Sequence, residues 1–204
     1  SLNYRITQSP NHSITQSLNR SSTRFPGYNG AHASSRNPML QARQIECIRG
    51  NRRLFRNLSF RLEAKRALRV GGENGSGKTS LLRMVAGLSP VEAGEIRWND
   101  GRIADLGEDY RRNLLFLGHA NGLKDDLTSI ENLQYALALA GTGPGSGALR
   151  AALAEQGLGA VADLPVKVLS QGQKRRVALV RLAFSADKPL WILDEPFSAL
   201  DTAS

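Results

Sequence analysis

The chain has 204 residues, with 27 Lys and Arg against 18 Asp and Glu and a formal net charge of +9. Cys47 is the only cysteine, so no intrachain disulfide can form, and no apolar run approaches the ~18 residues that a membrane-spanning helix needs. The length suits one domain with its own core, which excludes a disulfide-stapled miniprotein and a helical membrane span.

The charge is unevenly placed. No Asp or Glu precedes Glu46, whereas Arg5, Arg20, Arg24 and Arg36 all do. The basic balance is therefore weak support for nucleic acid as a partner; a solvated face or an anionic membrane surface explains it as well. Residues 1–38 are rich in Ser, Asn, Thr and Gln and show neither helical nor strand periodicity. They hold a short repeat, I-T-Q-S-P-N from Ile6 and I-T-Q-S-L-N from Ile14. Such a segment buries too little apolar area to offset its ordering entropy. It reads as a disordered tail, or as upstream sequence ahead of a true start at Met39. A mitochondrial transit peptide is the alternative, since the segment is Arg- and Ser-rich and free of acids. The first reading is preferred because the repeat contains no amphipathic helix.

The folded part is expected from about Leu40. Phe55 to Leu62 alternates apolar and polar residues, a half-buried strand, and Ala67 to Val70 reads as a buried strand feeding the loop that follows. Leu81, Leu82, Val85 and Leu88 recur at helical spacing, with Gly87 and Pro90 as the stop. Asn113 to Leu117 is a short apolar strand. Thr128, with Glu131 three residues on, opens a helix by a capping box, and Ile130, Leu133 and Leu137 form one face until Gly141. Gly141 to Gly147 is a flexible connector. Ala148 to Gln156 is a second helix stopped by Gly157, and Gly172 to Phe184 a third. Leu190 to Leu193 is an apolar run suited to a central parallel strand, in a sheet covered on both faces.

Two clusters carry chemistry. Gly72, Glu73, Asn74, Gly75, Ser76, Gly77, Lys78 and Thr79, followed by Ser80, fit G-x-x-x-x-G-K-[ST], a loop whose backbone N–H groups wrap phosphates. Its glycines allow tight turns, and the helix beyond points its positive end at the phosphates. Lys78 should reach the β- and γ-phosphates and Thr79 should ligate Mg²⁺. Taken alone this says only nucleoside triphosphate. Asp194 ends an apolar strand, where a carboxylate for Mg²⁺ belongs, and Glu195 beside it suits a general base for an attacking water.

Between these lies Leu169-Ser170-Gln171-Gly172-Gln173, which resembles the LSGGQ signature of ABC-transporter ATPases, with Gln171 replacing the usual first glycine. A serine and bare N–H groups heading a helix make an anion site. The resemblance implies a P-loop α/β fold with a small antiparallel β subdomain, spanning 39–204, and an inserted helical subdomain at about 120–175. It implies ATP hydrolysis at two sites shared by a dimer, each signature holding the γ-phosphate bound on its partner. Ser198 to Asp201 resembles the D-loop that couples them. Lys174, Arg175 and Arg176 read as a solvated face.

Two family positions depart. His119 stands where a glutamine usually follows the strand near Asn113; it could meet Mg²⁺ or its water, or simply be exposed. Arg49 falls where an aromatic residue normally stacks on adenine, and its guanidinium could stack instead. Gly118-His119, the stretch from Gly122 to Leu133, Asp163 to Leu182, and Leu190 to Asp201 resemble the ATP-binding subunit of the haem exporter in cytochrome c biogenesis. That implies a homodimer with integral membrane partners, peripheral on the cytoplasmic face of the bacterial inner membrane or, alternatively, at the mitochondrial inner membrane. Its link to haem delivery would be indirect, and no nucleic acid is expected. Other ABC exporters or importers, and soluble ABC ATPases, are the rival readings. In the family a switch histidine lies well beyond the Asp-Glu pair. This sequence ends at Ser204, nine positions after Glu195, and so reads as C-terminally truncated, with hydrolysis in doubt for the chain as it stands.

Overall fold

The computed structural model describes residues 6–9 and 39–197. The chain falls into two compact units, Ser1–Leu114 and Leu115–Ser204. The D-loop residue Asp201 and most of 1–38 lie outside the described residues.

In the first unit, β2 (Met39–Arg49) and β3 (Arg52–Glu63) form an antiparallel hairpin turning at Gly50 and Asn51. With β5 (Ala93–Trp98) and β6 (Gly101–Arg102) they make a sheet ordered β3-β2-β5-β6. β2 buries Leu40 and Ala42, then Ile45 and Cys47. The change of phase is a bulge: the pairing register slips after Ala42, and Gln44 takes φ 48. Gly94 on β5 lies against that bulge. A Cβ there would stand 2.3 Å from the Arg43 carbonyl oxygen, and the backbone is at φ 79, so only glycine fits.

β1 (Ile6–Ser9) pairs antiparallel with β4 (Ala67–Val70), Ile6 opposite Val70 and Ser9 opposite Ala67. Two expectations are corrected here. A strand forms in a segment with no strand periodicity, and β4 is half-buried with Arg69 exposed rather than wholly buried. The reason is common to both. Four-residue strands on a two-stranded ribbon gain from backbone pairing, which leaves no apolar alternation to read.

Helix α1 (Lys78–Val85) buries Leu81, Met84 and Val85. It ends as expected at Gly87, whose N–H donates to Met84 O while Leu88 N–H donates to Arg83 O. Short helices α2 (Ile103–Leu106) and α3 (Glu108–Arg111) follow β6. Buried Tyr110 on α3 donates its hydroxyl to Val85 O at 2.6 Å, and its ring meets Trp98 at 5.9 Å. Burial drives the phenol pKa well above its ordinary range, so it remains a donor. These contacts anchor the C-terminal end of α1 and leave its N-terminus to the loop before it.

In the chain beyond, β7 (Leu114–Leu117) pairs with β8 (Leu190–Leu193). Helices α4 (Ser129–Leu139), α5 (Ser146–Glu155) and α6 (Gln171–Val180) enclose a core of Ile130, Leu133, Leu137, Leu149, Leu153 and Val177. The capping box at Thr128 and Glu131 forms as its spacing predicts. α5 starts two residues before the expected Ala148 and stops at Gly157. Buried Asn132 holds the loop before α4. Its Oδ1 accepts from Lys124 N, and its Nδ2 donates to the carbonyls of Lys124, Leu127 and Thr128.

Candidate functional site

The residues expected to bind ATP fall into two groups, one in each unit. The first is the loop closing on α1. Gly72 sits at φ 151, Gly75 at φ 75 and Gly77 at φ 104. At Gly72 an added Cβ would lie 2.8 Å from the Ser76 hydroxyl, so the loop closes only around a bare Cα. Ser76 is buried, Glu73 and Asn74 are exposed, and Ser76 N–H donates to Glu73 O. Lys78 Nζ lies back over the loop, donating to Gly72 O at 2.9 Å and Glu73 O at 3.0 Å. The ammonium is thus held at the mouth formed by the backbone. Thr79 is exposed in the first turn of α1.

That helix begins at Gly77 with no side-chain cap and no acid in its first turn. Its first N–H groups and positive end are therefore left for an anion. Arg49 is exposed at the end of β2 and donates to Ser89 Oγ at 3.2 Å. Nearby, burial raises the Cys47 thiol pKa, opposed by Arg49 and a hydrogen bond with Ser80. A buried thiol of this kind is inert.

The second group surrounds the end of β8. Asp194 is 2 % exposed, and its N–H donates to Leu117 O at 2.8 Å. Its Oδ2 is shut from solvent with no hydrogen-bond partner. An orphaned, buried carboxylate oxygen is costly, and it suits a hydrated divalent cation. Glu195 follows at φ 47, left-handed backbone that a non-glycine residue adopts at a cost of about 1 to 3 kcal/mol. Its carboxylate is exposed, with Oε2 3.6 Å from Nδ1 of His119. His119 is therefore brought to the candidate base.

Ser170 caps α6. Its Oγ accepts from Gln173 N, and Gln173 Oε1 accepts from Ser170 N at 2.8 Å. Ser170 and Gln171 are exposed, with Gly172 half-buried beside them.

Arg175 overturns the reading of residues 174–176 as a solvated face. Lys174 pairs with Asp125 at 2.9 Å, and Arg176 donates to Gln156 O. Arg175 points inward and is 2 % exposed. Consecutive helical residues face about 100° apart, so a charge run need not share one environment. Its guanidinium donates to the carbonyls of Gly118, Asp194, Glu195 and Pro196 and to Asn121 Oδ1. Burial lowers its pKa, opposed by the carboxylates of Asp194 and Glu195. Only the polar acceptors around it, invisible in the one-dimensional pattern, could have flagged it.

Comparison with known proteins decides the class: residues 55–198 match the ABC transporter family. The chain belongs to that family. It is 55% identical over 166 residues to the "Cytochrome c biogenesis ATP-binding export protein CcmA" of Nitrosomonas europaea, covering 81% of this chain and 78% of that protein. It is 48% identical over 163 residues to the protein of the same name from Vibrio cholerae, covering 80% and 78%. A putative ABC transporter ATP-binding protein from Pyrococcus furiosus superposes with a TM-score of 0.64 at 21% identity, over 80% of this chain and 78% of that one. The ABC ATPase fold and the three ordered motifs therefore coincide in one chain. Among the described residues, no helix of this ABC protein is long and apolar enough to cross a membrane.

Proposed function

We propose that this chain is the ATP-hydrolysing subunit that powers haem export for cytochrome c biogenesis. It would act as a homodimer on integral membrane subunits, at the cytoplasmic face of a bacterial inner membrane. The nucleotide chemistry rests on one observation above all: the loop Gly72–Gly77 folds round Lys78 onto a helix N-terminus with neither side-chain cap nor acid. The transport role rests on the relatives named for cytochrome c biogenesis.

In this reading the α1 amides bind the phosphate chain, and Lys78 leaves its two carbonyls to neutralise the β- and γ-phosphates. Thr79 and Asp194 would hold Mg²⁺, which supplies Lewis-acid polarisation of the phosphate oxygens when bound. Glu195 would accept the proton of the attacking water, with His119 steadying its carboxylate. Ser170, Gln171, Gly172 and Gln173 at the head of α6 would meet the nucleotide held by the partner subunit. Arg49 would border the base.

Lys78→Ala tests the reading. Calorimetry should show tight Mg-ATP binding by the parent and none by the variant. Equal affinity in both would overturn the phosphate assignment.

A further inference from the structure

We propose that Arg175 is a positioning residue that sets Glu195 and the His119 loop together for the hydrolytic step. The proposal rests on the reading of Glu195 as the base. A guanidinium has five N–H donors in a planar fork, and here all five have acceptors. Nε donates to Pro196 O at 3.1 Å, Nη1 to Gly118 O at 2.8 Å and Asn121 Oδ1 at 3.1 Å, and Nη2 to Asp194 O at 2.7 Å and Glu195 O at 2.8 Å.

The acceptors are informative. Three are consecutive carbonyls, those of Asp194, Glu195 and Pro196. Successive carbonyls converge on one donor group only where the chain turns sharply, and Glu195 at φ 47 makes that turn. A backbone in that region persists when its surroundings over-determine it. The other two acceptors, Gly118 O and Asn121 Oδ1, flank His119. One planar group therefore fixes both segments whose side chains meet at 3.6 Å, Glu195 and His119.

A buried cation matched to carbonyls is not the cheapest way to fill that space. An apolar side chain of similar volume often serves stability as well or better. What an apolar chain cannot do is hold five oxygens in one plane. Lysine cannot either: its ammonium has three donors and no fork. Burial of Arg175 thus has a geometric purpose, carried by the shape of the group as well as its charge.

The test is ATP hydrolysis by the full-length protein bearing Arg175→Lys, beside Glu195→Gln and the parent. With Arg175→Lys, kcat should fall about tenfold or more, the scale of a misplaced catalytic group, while KM and the Mg-ATP affinity stay within about twofold. A purely structural role would lower the melting temperature and move binding and turnover together, and that result overturns the proposal. Parent-like turnover in Arg175→Lys beside an inactive Glu195→Gln overturns the proposal alone. Parent-like turnover in Glu195→Gln overturns the base assignment, and the proposal with it. Should Arg175→Lys not fold, Asn121→Ala removes one acceptor and spares the clamp's charge. It should lower kcat by about threefold with unchanged affinity, the worth of one hydrogen bond; no change in kcat overturns the proposal.

Discussion

Replacing Asn132 should separate two kinds of loss that ordinarily travel together. Its side chain is 4 % exposed and works at both ends: Oδ1 accepts from Lys124 N at 2.7 Å, and Nδ2 donates at 3.0, 3.2 and 3.0 Å to the carbonyls of Lys124, Leu127 and Thr128. Asn132→Ala removes all of these. All three carbonyls keep a backbone donor, Thr128 O from Asn132 N, Lys124 O from Leu127 N and Leu127 O from Val166 N, so their losses are partial. Lys124 N–H loses its acceptor, the only one seen for it among the described residues. Two to three hydrogen bonds at about 1 kcal/mol each put the cost at roughly 2 to 3 kcal/mol. Asn132→Asp keeps the acceptor for Lys124 N but turns a second oxygen toward three carbonyls. Ionised, it repels them in a poorly hydrated place, so the cost should exceed that of alanine by about 1 kcal/mol or more at neutral pH. The aspartate deficit should then shrink on acidification, because the protonated acid can again donate. Urea unfolding of parent, Asn132→Ala and Asn132→Asp at pH 7 and at about pH 5 measures this. An aspartate variant as stable as the alanine variant at pH 7 would refute the reasoning, since it would mean the three carbonyls do not see the side chain.

Two further outcomes follow from the same kind of geometry. Gly94→Ala forces a Cβ to 2.3 Å from Arg43 O at φ 79; with backbone on both sides of the clash, denaturant melts should show a loss above about 3 kcal/mol, and a loss under about 1 would show that the bulge can give way. The Glu131 carboxylate, bonded to Thr128 N and Oγ1, has its pKa lowered from the ordinary 4.5. Its stabilisation is complete above that unfolded value and is lost as pH falls through the lower folded one. The gap in unfolding midpoint between parent and Glu131→Gln should therefore be constant near neutrality and narrow below pH 4.5, as a melt series down to about pH 3 would show; a flat gap contradicts it.

How far the sequence could be read depended on whether local pattern and tertiary partner agreed. The helix ends at Gly87, Gly141 and Gly157 and the capping box at Thr128 are local devices, complete within a few residues, and they stand where their spacing puts them, whereas at Ser170 the sequence shows a serine heading a helix and the structure adds the reciprocal bond from Gln173. β2 was missed because its bulge changes the phase of alternation at Gln44, so no single period of two spans it. β1 was missed because its pairing partner, β4, lies some sixty residues away in the chain. Within the candidate site, the loop at Lys78 and the Asp194-Glu195 pair were legible as motifs of fixed spacing. Arg175 was not. Its acceptors come from Gly118, Asn121 and residues 194–196, and no helical wheel contains them. His119 was legible as a departure from the family pattern, but its approach to Glu195 was not.

The two capping boxes differ by one group. At α4 the reciprocal partner is Glu131, which brings a full negative charge to the helix start; at α6 it is Gln173, which makes the same pair of bonds while remaining neutral. A carboxylate at that position would draw a further 0.3 to 1 kcal/mol, roughly, from the helix dipole. A chain shaped for thermal resilience alone would take it. With an amide, α6 is closed against fraying yet keeps its positive end unspent, so a polyanion can approach a finished helix rather than compete with the residue that finishes it.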